Sequence, residues 1–301
     1  MTPSLELQSV GKSFGNLTAV DSVSFAVPRG TIYGLLGPNG AGKTTTLRMI
    51  MDIIAPDFGL VLLNGHPRHR ADLARVGYLP EERGLYRKMT VIDQLAFLAE
   101  LHGLRQREAL PSIESWLERV ELADWGKKKV EELSKGMQQK VQLIGTILHD
   151  PDLLILDEPF SGLDPINQGL FKDLLADYRK QGKTIIFSTH IMEQAEKLCD
   201  HICLISQGRT ILEGELSTIK RRLGGNSYRL IADGDLERLD EVKGVQQALF
   251  HDNTAKLLLE PDASGADVLE ELVGFLTVHE FQSQEPDLEE IFIKAVRDAT
   301  Q

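Results

Sequence analysis

Hydrophobic and polar positions alternate through the first 30 residues, with Leu5, Leu7 and Val10 followed by Val20, Val23, Phe25 and Val27. A period of two marks strands with one buried face, so the pattern predicts short antiparallel strands here. Thr31-Ile32-Tyr33-Gly34-Leu35-Leu36 is apolar throughout and reads as a buried strand. Gly59-Leu60-Val61-Leu62-Leu63-Asn64-Gly65 predicts a strand closed by an Asn-Gly turn. Val76-Gly77-Tyr78-Leu79-Pro80 predicts a strand ended by proline. From Thr90 the period changes. Val91, Leu95, Leu98 and Leu101 fall on one helical face before a His102-Gly103 stop. Pro111-Ser112 is expected to open a second helix with Ile113, Trp116, Leu117 and Val120 inward. A third is expected from about Gln138 to Leu148, so residues 86–150 form a mostly helical insert.

Apolar strands then return at Leu153-Leu154-Ile155-Leu156, Thr184-Ile185-Ile186-Phe187-Ser188 and Ile202-Cys203-Leu204-Ile205-Ser206. Two of these are near-continuous apolar runs, as in a parallel sheet covered on both faces. Between the first two lies a helix carrying Leu170, Leu174, Leu175 and Tyr178. A boundary is expected near Arg221-Arg222-Leu223-Gly224-Gly225-Asn226, dividing residues 1–220 from 221–301. Beyond it the expected order is strand 228–231, helix 236–242, strands 246–250 and 255–260, helix 266–276, strand 278–282 and helix 288–296. The order β-α-β-β-α-β predicts a small α+β ferredoxin-like domain behind an α/β core.

Charge and cysteine content narrow the field. The chain of 301 residues carries a net charge of −12, and residues 221–301 alone hold 17 acids against 8 bases. That balance argues against nucleic acid as a partner. The cysteines Cys199 and Cys203 flank His201, but no second ligand cluster exists to complete a zinc site. Two small apolar side chains near a strand are the expected reading. His66-Pro67-Arg68-His69-Arg70 is expected to be a solvated basic turn. The N-terminal residues show no signal-peptide pattern, and no apolar run approaches a membrane span, so a cytoplasmic location is expected.

The chemistry concentrates in one string. Gly37-Pro38-Asn39-Gly40-Ala41-Gly42-Lys43-Thr44, with Thr45 behind it, fits G-x-x-x-x-G-K-[ST]. A predicted strand leads in and a helical pattern leads out, which aims backbone N–H groups and a helix N-terminus at one anion. Lys43 supplies a positive charge for the outer phosphates, and Thr44 a hydroxyl suited to Mg²⁺. Downstream, the strand Leu153-Leu154-Ile155-Leu156 delivers Asp157 and Glu158 at its C-terminal edge. Asp157 is expected to hold Mg²⁺ and Glu158 to face an attacking water as base or orienter.

Taken with Asp157-Glu158-Pro159, the strings Ser161-Gly162-Leu163-Asp164-Pro165, Ser188-Thr189-His190 and Leu133-Ser134-Lys135-Gly136-Met137 make residues 3–220 resemble the nucleotide-binding subunit of an ABC transporter. The resemblance implies a P-loop NTPase core with an antiparallel β subdomain, and a Mg²⁺-dependent ATPase. It implies that Phe14 stacks on adenine with Val20 beside it, and that His190 joins Lys43 and Glu158 as catalytic groups. It also implies that Ser134, Lys135, Gly136, Met137 and Asp164 serve the ATP held by a second copy of the chain, in a head-to-tail pair docked on a separate membrane permease.

Two motifs depart from the family pattern. Glu81 stands where the family has a glutamine; a carboxylate can still ligate Mg²⁺, and the alternative is a solvated loop acid. Lys135 and Met137 replace a glycine and a glutamine of the serine-bearing element. These departures, together with the ending Pro286-Asp287-Leu288-Glu289-Glu290-Ile291-Phe292, resemble the exporter subgroup that includes sodium- and drug-efflux subunits. A mechanical ABC ATPase working on ribosomes or DNA, and a P-loop kinase, are the competing readings. The former commonly needs two nucleotide domains or long insertions, and the latter has no use for residues 133–137 or 188–190.

Overall fold

The computed structural model describes residues 2–300, apart from Arg83, Gly224, Gly225, Pro261, Glu285 and Pro286. The expectations that fell on Gly224, Gly225 and Pro286 lie outside the described residues. The chain divides into two compact units, Met1–Gly214 and Glu215–Gln301.

In the first unit, β1 (Leu5–Phe14) and β2 (Leu17–Val27) form an antiparallel pair. Next come β3 (Ile32–Leu36), α1 (Lys43–Ile50), β4 (Phe58–Leu63), the two-residue β5 (His66–Pro67) and β6 (Val76–Leu79). The β1–β2 pair extends through β4 to β5 as an antiparallel sheet ordered β2-β1-β4-β5. The Asn-Gly turn after β4 has both residues at positive φ, 53° and 86°.

The helical stretch contains α2 (Val91–Leu101), α3 (Gln106–Arg119) and α4 (Lys135–Ile147). Two expectations change here. Pro111 lies inside α3 rather than at its start, because Arg105–Leu110 already form a helical turn that buries Ala109. The buried stripe of α2 runs Val91, Leu95, Ala99, so Leu101 is turned away and is 66% exposed. The stripe steps by four residues and ends at Ala99; two residues further on is the opposite side of a 3.6-residue helix.

The unit closes with β7 (Leu153–Asp157), α5 (Pro165–Lys180), β8 (Thr184–Thr189), α6 (Met192–Leu198), β9 (His201–Ser206) and β10 (Arg209–Glu215). The second sheet is ordered β10-β9-β3-β8-β7-β6 and is parallel from β9 to β6. Every residue of β3, β7 and β8 is buried. At about 1.5–3 kcal/mol for each large apolar side chain, this central block fixes the strand ends that carry the chemistry. Tyr33, Leu35, Ile155, Ile186 and Cys203 belong to one core with Val20, Leu47 and Ile50. Burial pushes the Cys203 thiol up to about 12, so it stays protonated among apolar neighbours.

The second unit has α7 (Leu216–Leu223), β11 (Asn226–Asp233), β12 (Val245–His251), β13 (Thr254–Leu259), α8 (Gly265–Leu272), β14 (Thr277–Ser283) and α9 (Leu288–Thr300). Its antiparallel sheet is ordered β12-β13-β11-β14, the ferredoxin-like arrangement. The first expected helix is a 3₁₀ segment, Leu236–Glu241. A three-residue turn puts Leu236 and Leu239 on one side, and both are buried.

Candidate active site

The loop between β3 and α1 has the conformation that only its glycines allow. Gly42 sits at φ 104°, and a Cβ there would lie 2.5 Å from the Ala19 carbonyl oxygen. Gly37, at φ 151°, would place a Cβ 2.1 Å from the Ile205 oxygen. Pro38, Asn39 and Gly40 form the exposed tip, while Ala41 is buried and donates its N–H to the Pro38 oxygen. Gly42 is the N-cap of α1 and offers no side chain, so the first-turn N–H groups of the helix are left for a ligand. Val20 is buried beside Gly42, with Cγ2 3.3 Å from where a Cβ would be. Phe14 ends β1 and is 48% exposed, with the Lys12 ammonium 5.7 Å from its ring centre. Thr45 is half-buried in the first turn of the helix.

The buried Lys43 curls back over the loop. Its Nζ donates to the Gly37 oxygen at 2.8 Å and the Pro38 oxygen at 3.2 Å, and lies 3.5 Å from Glu158 Oε1. The same carboxylate oxygen is 3.0 Å from His190 Nδ1. Lys43, Glu158 and His190, far apart in sequence, therefore meet at one oxygen. Glu158 has a left-handed backbone, φ 48°.

Asp157 is nearly fully buried at the end of β7. Its Oδ1 accepts from the Ser188 hydroxyl at 2.6 Å and the Thr44 hydroxyl at 3.2 Å. Its Oδ2 is buried with no hydrogen-bond partner. A buried carboxylate oxygen without a donor is costly unless a ligand satisfies it. With Thr44 alongside, the donor set is hard oxygen, so the residues fit Mg²⁺. Glu81 is exposed on the loop after β6. Among the described residues no hydrogen bond or ion pair joins it to Thr44 or Asp157. It acts with Asp157 on Tyr78, whose phenol is raised chiefly by burial and then by the charge of Asp157, Glu81 adding to it.

The second cluster forms around the start of α4. Ser134 is its N-cap and accepts from the Met137 N–H at 3.3 Å. Ser134 and Lys135 are exposed; Gly136 and Met137 are half-buried. Asp164 caps α5, accepting from the Asn167 N–H at 3.0 Å, which holds its carboxyl below the usual range. A Cβ on Gly136 would lie 3.3 Å from the Asn167 amide nitrogen, so the two caps are adjacent. Among the described residues no hydrogen bond or ion pair joins residues 134–137 to residues 37–45.

Three contributors were not visible as chemistry in the sequence. Ser188 bridges the acids, donating to Asp157 and accepting from the Glu158 N–H at 2.9 Å. A hydroxyl at the buried end of a parallel strand was the available signal. Gln142 on α4 donates to the Pro80 and Glu82 oxygens, both at 3.3 Å, and so clamps the loop bearing Glu81. Arg68 departs from the solvated turn expected of it. It donates to the Met49 and Ile50 oxygens and pairs with Asp52, capping the end of α1.

The fold and this cluster define a P-loop ATPase. The family described as ABC transporter matches residues 20–161, and the ATP-binding protein DrrA1-3-like C-terminal domain matches residues 214–296. An uncharacterized ABC transporter ATP-binding protein of Bacillus subtilis, YhaQ, is 42% identical over 97% of this chain and 98% of its own length. The Nod factor export ATP-binding protein I of Paraburkholderia xenovorans is 37% identical over 94% of this chain and 91% of its own. A solved ATP-binding subunit of an ABC transporter superposes with a TM-score of 0.67 at 32% identity, covering 72% of this chain and 92% of that one. The chain belongs to the ABC transporter ATP-binding proteins, which hydrolyse ATP to power transport. Among the described residues no helix is long and apolar enough to cross a membrane.

Proposed function

We propose that two copies of this chain close head to tail around two molecules of ATP and drive export through a separately encoded membrane permease, from the cytoplasmic face. The observation that carries this reading is the separation of the two clusters. Lys43, Thr44, Asp157, Glu158 and His190 gather at one loop, whereas Ser134, Gly136 and Asp164 gather at another, and among the described residues no hydrogen bond or ion pair joins the two groups. The helix N-terminus at exposed Ser134 presents N–H groups of the kind that receive a phosphate. Export is supported by the relative named for Nod factor export.

In this scheme ATP phosphates draw Lys43 Nζ away from the Gly37 and Pro38 oxygens. Thr44 and Asp157 would hold Mg²⁺, with Glu81 as a further candidate; the ion supplies charge neutralisation on the phosphates. Phe14 stacks on the adenine, Val20 backs it, and the N–H groups of residues 37–45 enclose the phosphates. Glu158 takes the proton of the attacking water as its oxygen bonds to the terminal phosphorus and the bond to ADP breaks. His190 holds Glu158 through Nδ1 and leaves Nε2 for the terminal phosphate. The partner's serine element contacts a phosphate that ADP lacks, so cleavage removes the contact that favours the closed pair.

Mixing two inactive variants tests the pairing. Lys43→Ala and Ser134→Arg chains are each expected to be inactive alone. Mixed, they form pairs with one intact composite site and regain measurable ATPase activity. No recovery, with mixed pairs demonstrated by tagged pull-down, would contradict it.

A further inference from the structure

Ser188 has no part in the hydrolytic scheme, yet it is the only residue bonded to both acids among the hydrogen bonds of the described residues. It is fully buried and faces Asp157 across the parallel β7–β8 register. Its hydroxyl has one proton, given to Asp157 Oδ1 at 2.6 Å, and it accepts from the Glu158 N–H at 2.9 Å. We propose that Ser188 is a positioning residue for ATP hydrolysis, setting the rotation of the Asp157 carboxylate and the turn of the chain at Glu158. The proposal rests on the reading of Asp157 as a metal ligand and Glu158 as the group facing water.

Two consequences of those bonds carry the argument. Oδ1 of Asp157 is taken up by two hydroxyls, from Ser188 and Thr44, which leaves buried Oδ2 as the oxygen offered to a cation. Without Ser188 the carboxylate keeps one donor and can rotate. Glu158, meanwhile, holds a left-handed backbone that L-residues seldom adopt. In that conformation its N–H meets Ser188 Oγ, and its side chain reaches Lys43 and His190. An extended or helical residue would send the side chain elsewhere. The neighbouring hydroxyl does a different job: Thr189 bonds Gln194 and the Ile191 N–H, holding the entry to α6. The two consecutive hydroxyls are thus divided between the acids and the helix.

The test uses the full chain with ADP and Mn²⁺ as the probe, free Mn²⁺ being read by electron paramagnetic resonance. Ser188→Ala should weaken Mn²⁺ binding by about 10- to 100-fold, the range for losing a group that orients a ligand. ADP affinity measured in EDTA should be unchanged. In turnover, kcat should fall by about the same factor with KM for ATP held within about twofold, since the loss falls on the reacting end. Ser188→Thr, which keeps the hydroxyl, should restore both. Ser188→Cys keeps the volume with a weaker donor and should lie between, and it serves if the alanine variant does not fold. Normal Mn²⁺ binding and normal kcat in folded Ser188→Ala would overturn the proposal. So would equal losses in the threonine variant at wild-type thermal stability. The metal arm separates this from the role of Glu158. If Glu158→Gln hydrolysed ATP normally while Ser188→Ala still lost Mn²⁺, the base assignment would fall and the positioning of Asp157 would stand.

Discussion

Lys43 Nζ lies 3.5 Å from Glu158 Oε1, so the cation of the phosphate loop and the acid at the end of β7 neutralise one another inside the protein. Both side chains are nearly buried, and a charge left alone there would be strongly unfavourable. ATP binding exchanges this partner for phosphate. Lys43→Ala should therefore weaken ATP binding by at least about 10- to 100-fold, the worth of a charge-assisted hydrogen bond. Equilibrium dialysis with labelled ATP checks this; unchanged affinity would contradict the assignment of the loop.

Gly42 makes a second prediction that rests on backbone geometry. At φ 104°, with the Ala19 oxygen 2.5 Å from any Cβ, alanine meets both strain and a clash. Gly42→Ala should lower stability by about 1–3 kcal/mol and displace the loop, with loss of nucleotide binding. Denaturant unfolding and nucleotide titration measure the two effects. A wild-type loop in that variant would show the close approach to be relieved elsewhere.

These two sites were legible because the loop's chemistry is local. The Gly37–Thr44 string fixes its own turns, and each flank carries an unambiguous pattern. The strands were legible for the same reason, since β3, β7 and β8 are buried on both faces and show it in composition. What escaped depended on contacts between distant segments. Leu101 has the spacing of a core residue, but the buried stripe of α2 had already rotated past it. Pro111 looks like a helix start, and only the burial of Ala109 upstream shows that the turn before it forms. Gln142, Arg68 and Ser188 act on backbone or side chains 60, 18 and 31 residues away, which no local pattern encodes.

His102 and His149 stack with ring centres 3.7 Å apart and planes within 4°. Burial, and then the neighbouring His102, hold His149 down at about 4 against an ordinary 6.5. Asp150 and a bond to the Val76 oxygen oppose the shift, and Lys183 adds to it. Burial lowers His102 as well. Between pH 6.5 and 4 the unfolded chain takes up a proton that folded His149 refuses. Its contribution is fully present above the ordinary value and is lost as pH falls towards the folded one. Unfolding free energy should therefore drop with acidification through that window, and His149→Gln should flatten the slope. Denaturant melts at stepped pH measure it; an unchanged slope in the variant would contradict a histidine origin.

The central claim is that trapped ATP joins two chains. The most direct measurement is the mass of Glu158→Gln by size exclusion with light scattering, because the variant should bind ATP while cleaving it at least about 100-fold more slowly. With saturating MgATP the mass should be that of two chains of 33.5 kDa, reverting to one with ADP. A single-chain mass at saturating ATP, with binding demonstrated in the same sample, would contradict the account.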